Sequence, residues 1–191
     1  CMPRVQDPSG KLVSCVYRFP LDARDIHITN TLEDEFIFAT WITENPRCQY
    51  GVDGIEIDSK GNLYVGNYGD GEVWKLALDE KGDLISRELY AKNEQELCST
   101  DGMILDENTG NLYIADFNNN AIVMVDKDRK VRRIAQSPDC DGFHGELDQP
   151  GEPIIWEGRI VASCLDLVTD EAKVNTCHEM PATMAELDLE P

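Results

Sequence analysis

Three carboxylates stand at matching places along the chain. Asp53 begins DGIEIDSKGNLYVGN, Asp101 begins DGMILDENTGNLYIAD, and Glu152 begins EPIIWEGRIVASCLD. The first two sit in Asp-Gly pairs 48 residues apart, and Gly158 follows Gly110 at the same interval. Like charges gathered at one point repel unless a cation neutralises them. Ca²⁺ or another hard divalent ion suits such a set, because carboxylate and carbonyl oxygens are its ligands and no His or Cys grouping offers softer coordination. An Asp-Gly pair before a strand is also ordinary turn chemistry, the Asp accepting from backbone amides and the Gly supplying positive φ. Each Asp therefore carries two readings, metal ligand and turn residue.

Other reactive groups add little. Asp58 and Asp106 recur with the same period but fall in hairpin turns, where a structural role suffices. His144 lies in the long linker QSPDCDGFHGELDQPG before Glu152, so it is the histidine placed for proton transfer or substrate contact. His27, read in a strand, and His178, read in a late loop, are assigned to packing or surface. There is no Gly-x-Ser-x-Gly elbow, phosphate loop or His-Glu-x-x-His helix. The seven cysteines show no Cys-x-x-Cys pair and no zinc spacing, so neither a disulfide pattern nor a redox compartment follows. With 37 acidic against 17 basic residues the formal charge is −20, which disfavours nucleic acid. No apolar run is long enough to span a membrane. No leader of charged and then apolar residues is visible, which tips the compartment toward the cytoplasm while leaving a secreted or periplasmic place open.

The elements that would carry these carboxylates repeat as well. In each copy apolar residues alternate through a short strand, turn at Asp and Gly, and return through Leu-Tyr-Val or Leu-Tyr-Ile. A third and a fourth strand follow, at Glu72–Leu78 and Leu84–Tyr90, then at Ala121–Val125 and Lys130–Ala135. Four antiparallel strands per period of about 50 residues predict an all-β chain built of β-propeller blades. The expected division of the single domain 1–191 is an incomplete first blade at 12–45, blades at 50–95 and 98–135, and a last blade with long loops at 147–190. Ser14–Asp22 aligns with the third strand of the next blade. Its fourth strand is either Asp25–Thr29 or Glu35–Thr43, and residues 1–11 read as loop. Cys164 reads as a buried strand residue. The three tryptophans and the recurrent Tyr64 and Tyr113 read as packing between blades. In a propeller the first strand of every blade lines the central channel, so Asp53, Asp101 and Glu152 would meet at one mouth. Three to four blades fall short of a closed ring, and a second copy of the chain would be one way to complete it.

The motifs VDGIEID-x-x-GNLYVGN, TDGMILD-x4-GNLYIAD and GEPIIW…GRIVAS resemble the blade signature of the gluconolactonase and regucalcin-like (senescence marker protein) six-bladed propellers. The similarity runs from Val52 to Asp166, and NHL-repeat and strictosidine synthase-like propellers use related hairpins. The resemblance implies a divalent metal, usually Ca²⁺, at the channel mouth and hydrolysis of a lactone or related ester, with a small lactone or sugar-derived substrate. It makes Asp53, Asp101 and Glu152 the metal ligands and Asp101 a catalytic base as well. Asp53 stands where that family often has Asn, and Thr100 where it commonly has Pro. The alternative function is a non-catalytic, NHL-like propeller module that binds a protein or small ligand.

Overall fold

Aspartates set the turns of the two four-stranded sheets. In the computed structural model, which describes residues 3–167 and 173–189, strand β4 (Val52–Ile57) returns as β5 (Leu63–Asn67). At the turn Asp58 Oδ1 accepts from the amides of Lys60 and Asn62 at 3.0 and 2.8 Å, and Gly61 takes φ +83°. Between β8 (Met103–Asp106) and β9 (Asn111–Asp116), Asp106 accepts from the Asn108 amide and the Thr109 hydroxyl. Asp79 does the same between β6 (Glu72–Leu78) and β7 (Leu84–Lys92), and Asp126 between β10 (Ala121–Val125) and β11 (Val131–Gln136). Side-chain oxygens thus replace missing backbone acceptors where the chain reverses.

Among the described residues these strands form four antiparallel sheets. Sheets β4-β5-β6-β7 and β8-β9-β10-β11 are four-stranded meanders. The last joins β12 (Pro150–Trp156), β13 (Arg159–Cys164) and β14 (Thr183–Asp188), and the first joins β1 (Val5–Gln6), β2 (Leu12–Tyr17) and β3 (Ile37–Ile42). Of the two candidates for the strand after β2, the segment within Glu35–Thr43 forms it. Residues 25–29, including exposed His27, lie in no strand, which corrects that reading of the histidine. The opening residues also differ from a loop. Asp7 accepts from the Ser9 and Lys11 amides, and this turn folds Val5–Gln6 back on β2. Residues 1 and 2, 168–172 and the last two lie outside the described part.

Successive sheets pack face to face, and side-chain alternation assigns each face a partner. On β9, Leu112 and Ile114 join Tyr64, Val73 and Leu97 against the second sheet. Tyr113 and Ala115 point the other way, into a cluster with Ile160, Ala162, Cys164 and Ala185 of the fourth. Tyr64 and Tyr113 therefore occupy the same repeat position and each faces the following sheet. β10 reads AIVMV and is buried throughout, because it has a sheet on either side. Trp41 is core, and the Arg87 guanidinium lies between the Trp41 and Trp74 rings at 4.1 and 4.4 Å. Trp156 departs from the packing role. It is 60% exposed, with Ile154, on the side of β12 opposite Ile155, which packs toward the preceding sheet; Ile55 and Ile57 of β4 are exposed as well. Among the described residues no helix is long and apolar enough to cross a membrane.

Candidate functional site

The three carboxylates fall at one register position. Asp53 opposes Gly66 and Glu152 opposes Ser163, each beside a bulge in the first strand of its sheet. Asp101 takes the corresponding place just before β8, its amide donating to the Ala115 carbonyl at 3.0 Å. Gly66, Ala115 and Ser163 stand at the same offset after the turn glycines Gly61, Gly110 and Gly158. Bulges bend a strand and re-aim its side chains, and here they do so where the carboxylates stand.

The glycines that follow have a separate reason to be glycine. A Cβ on Gly54, whose φ is +61°, would overlap the Asp101 carbonyl. One on Gly102 would overlap the Glu152 carboxylate and the Gly151 carbonyl. The Gly102 amide donates to Gly151 O at 2.7 Å, while Ala115 N donates back to Gly102 O at 2.9 Å. Each Asp-Gly pair is thus the point where one innermost strand touches the next. Absence of a side chain lets neighbouring carboxylates approach.

Electrostatics records that approach. Asp101 is half-buried, and burial chiefly, with the Asp53 charge next, pushes its carboxyl up to about 7. Its bond with the Gly102 amide opposes the shift, Glu152 adds to it and the Lys173 ammonium subtracts. Glu152 is also raised, by burial first and then by Glu56 and Asp53, although the residue as a whole is exposed. Thr100, fully buried, presses its hydroxyl against Gly66, and that hydroxyl has no hydrogen-bond partner. Tyr68 is buried next door. Burial and then the Asp101 charge raise its phenol, whose hydroxyl donates to Asn118 Oδ1 at 2.8 Å. Its ring sits 5.6 Å from Tyr50 and 6.4 Å from Phe117, and Lys173 Nζ is 4.8 Å from the Phe117 centroid.

The structure therefore couples Asp53, Asp101 and Glu152 by charge. Among the described residues no three His, Cys, Asp or Glu side chains enclose a metal ion as they stand. His144 is exposed on the linker after β11, its amide donating to Glu146 at 2.9 Å. Sequence reasoning missed Glu56, Thr100, Tyr68 and Lys173. The repeat offered a signal for one of them, since Tyr68 and Phe117 hold the same place in the short 3₁₀ turns 68–70 and 117–119. Nothing in the sequence ties Lys173 to Asp101.

Among the described residues, antiparallel sheets of three and four strands packed face to face, with the first strands β4, β8 and β12 adjoining one another, define a β-propeller-like fold. No protein-family profile matches the chain, and no curated protein does. Among solved structures it is similar to a luciferin-regenerating enzyme, with 14% identity and a TM-score of 0.53 over 74% of this chain and 49% of that one. It is also similar to a calcium-binding protein, regucalcin, from Agrobacterium tumefaciens, with 17% identity and a TM-score of 0.48 over 73% and 48%. A third is virginiamycin B lyase from Staphylococcus aureus, with 13% identity and a TM-score of 0.41 over 74% and 42%. At these identities the likeness is one of fold, and the chain spans about half the length of the structures it matches.

Proposed function

We propose that the mouth is the site of a divalent-cation-dependent hydrolase of lactones or related esters, of the gluconolactonase and regucalcin-like kind. The observation that carries this is the register shared by three carboxylates: Asp53 opposes Gly66, Glu152 opposes Ser163, and Asp101 takes the corresponding place just before β8. Without a cation, burial and then the charges of Asp53 and Glu152 push the Asp101 carboxyl up to about 7. The donor set suits a hard cation: three carboxylates at one register position and a buried hydroxyl on Thr100 that lacks a partner. Asp53, Asp101 and Glu152 would hold Ca²⁺, which when bound supplies Lewis-acid polarisation of a carbonyl oxygen. Asp101 then has a second task, accepting a proton from water. The Lys173 ammonium lowers the Asp101 carboxyl slightly, against burial and the neighbouring carboxylates.

Hydrolysis of a small sugar lactone, followed with Ca²⁺ and with chelator, tests the reading. The expected result is cation-dependent turnover that falls about 10²-fold or more in Asp101→Asn. Cation binding by the wild type without turnover of any lactone would leave the mouth a binding module. Equal Ca²⁺ affinity in the wild type and Asp101→Asn would remove the metal site.

A further inference from the structure

Beside the mouth runs a short strap, residues 173–176, fastened to separate parts of the molecule. Val174 N donates to Asn118 O at 2.8 Å. Asn175, 2% exposed, bridges Asn120 and Asp148. Thr176 N donates to Asp139 Oδ1 at 3.1 Å, and its hydroxyl donates to the other oxygen of that carboxylate. These bonds fasten the strap without the Lys173 side chain, which reaches the aromatic rings at the mouth. Its Nζ lies 4.8 Å from the Phe117 centroid and 5.9 Å from that of Tyr50, and donates to Leu167 O at 2.9 Å. Both rings pack on Tyr68. Asn118 accepts from Val174 N and from the Tyr68 hydroxyl, and donates its own amide at 3.0 Å to Ser99 Oγ, two residues before Asp101.

We propose, resting on the reading of the mouth as a cation site, that Lys173 is its built-in counter-cation: the strap holds one ammonium beside the three carboxylates, where it offsets their charge in the free protein and opposes the entry of a divalent ion. An ammonium over aromatic faces is held by the ring quadrupoles, more strongly where water is excluded, and Phe117 is buried. Among the charges that act on Asp101, those of Asp53 and Glu152 raise its carboxyl and that of Lys173 lowers it. With 17 basic residues against 37 acidic ones, a cation placed there departs from the prevailing charge of the chain. A divalent ion seated on the three carboxylates meets the Lys173 ammonium as a like charge. The attraction that draws the ion in is thus set against a repulsion that the strap fixes in place.

Calorimetric titration of the full chain with Ca²⁺ alone tests this in the wild type, Lys173→Met, Lys173→Arg, Asp101→Asn and Lys81→Met, the last removing an exposed lysine from the β6–β7 turn. The expected result is Ca²⁺ binding about tenfold tighter in Lys173→Met, the scale of a unit charge acting on a divalent ion several ångströms away in a water-like dielectric. Lys173→Arg, which keeps the charge, and Lys81→Met, which removes one elsewhere, should stay near wild type. The gain should shrink as salt cuts the screening length from about 30 Å at 0.01 M to about 3 Å at 1 M, a dependence that a packing role for Lys173 would not produce. Equal or weaker binding in Lys173→Met, with binding still lost in Asp101→Asn, would overturn the counter-cation and leave the mouth standing. The same gain in Lys81→Met would overturn it too, since any lost positive charge would then do. No binding by any of these proteins would overturn the reading of the mouth and this inference with it.

Discussion

Each hairpin of the repeat carries an aspartate at both ends, and the two ends treat it in opposite ways. At the turn, burial would raise Asp58, but the Asn62 side chain and amide, Lys75 and the Lys60 amide outweigh it and hold the carboxyl below its ordinary value. Asp106 is lowered chiefly by the Thr109 hydroxyl, with the Asn108 amide assisting. At the mouth burial first, and then the Asp53 and Glu152 charges, outweigh the Gly102 amide and Lys173, and Asp101 rises to about 7. A short strand separates the residues of each pair, and their chemistry differs by what surrounds them: donors at the turn, acceptors and like charge at the mouth. The turn carboxylates stabilise the fold. At the mouth, burial and like charge oppose ionisation of Asp101 and Glu152.

Exchanging charge for amide at the two ends should separate them most in activity. Asp101→Asn is expected to lower cation-dependent lactone hydrolysis about 10²-fold or more, whereas Asp106→Asn should leave it near wild type. Steady-state assays on both variants check this. The next effect is steric. Gly102→Ala pushes a methyl into the Glu152 carboxylate and the Gly151 carbonyl, and about 1–3 kcal/mol of destabilisation is expected from overpacking. Urea melts measure it, and a loss no larger than a few tenths would show that the innermost strands do not depend on that contact. Asp58→Ala removes acceptors for the Lys60 and Asn62 amides and should cost about 1–2 kcal/mol at neutral pH.

A further effect is the pH dependence without metal, where the two ends have opposite signs. A carboxyl raised in the folded state favours folding while protonated, so Asp101 contributes stability below about 4 that is lost as pH rises through about 7. Asp58, being lowered, contributes stability present above its unfolded value and lost in acid. Melting temperatures of the metal-free chain at pH 5 and pH 8 should therefore converge in Asp101→Asn relative to wild type.

Much of the fold was legible because its signals are local. The turn chemistry at Asp58 and Asp106, the alternation through β4 and β5, and the recurrence of Gly-Asn-Leu-Tyr placed the strands and faces of the two complete blades. β1 escaped notice because a two-residue strand has no periodicity to show, and residues 25–29 looked like a strand although left-handed backbone at Asp25 and Asn30 brackets them. The register of the mouth could be read in part: Asp53, Asp101 and Glu152 were found from spacing alone. Their surroundings could not be, because Lys173, Tyr68 and Glu56 reach Asp101 and Glu152 through tertiary packing. The Asp-Gly pair was the most instructive. Sequence offered a turn or a ligand as its reason, and the structure adds a third, the contact between adjacent innermost strands.

The account rests on Asp101 titrating near neutrality because of burial first and neighbouring carboxylates second, and on a cation relieving both. Carboxyl-carbon NMR of selectively labelled protein, followed over pH with and without Ca²⁺, reads both directly. An Asp101 midpoint near 7 in the metal-free chain, displaced well to the acid side by Ca²⁺ while Asp58 and Asp106 stay low and unmoved, is the predicted result. A midpoint near the ordinary aspartate value of about 4, indifferent to Ca²⁺, would contradict it.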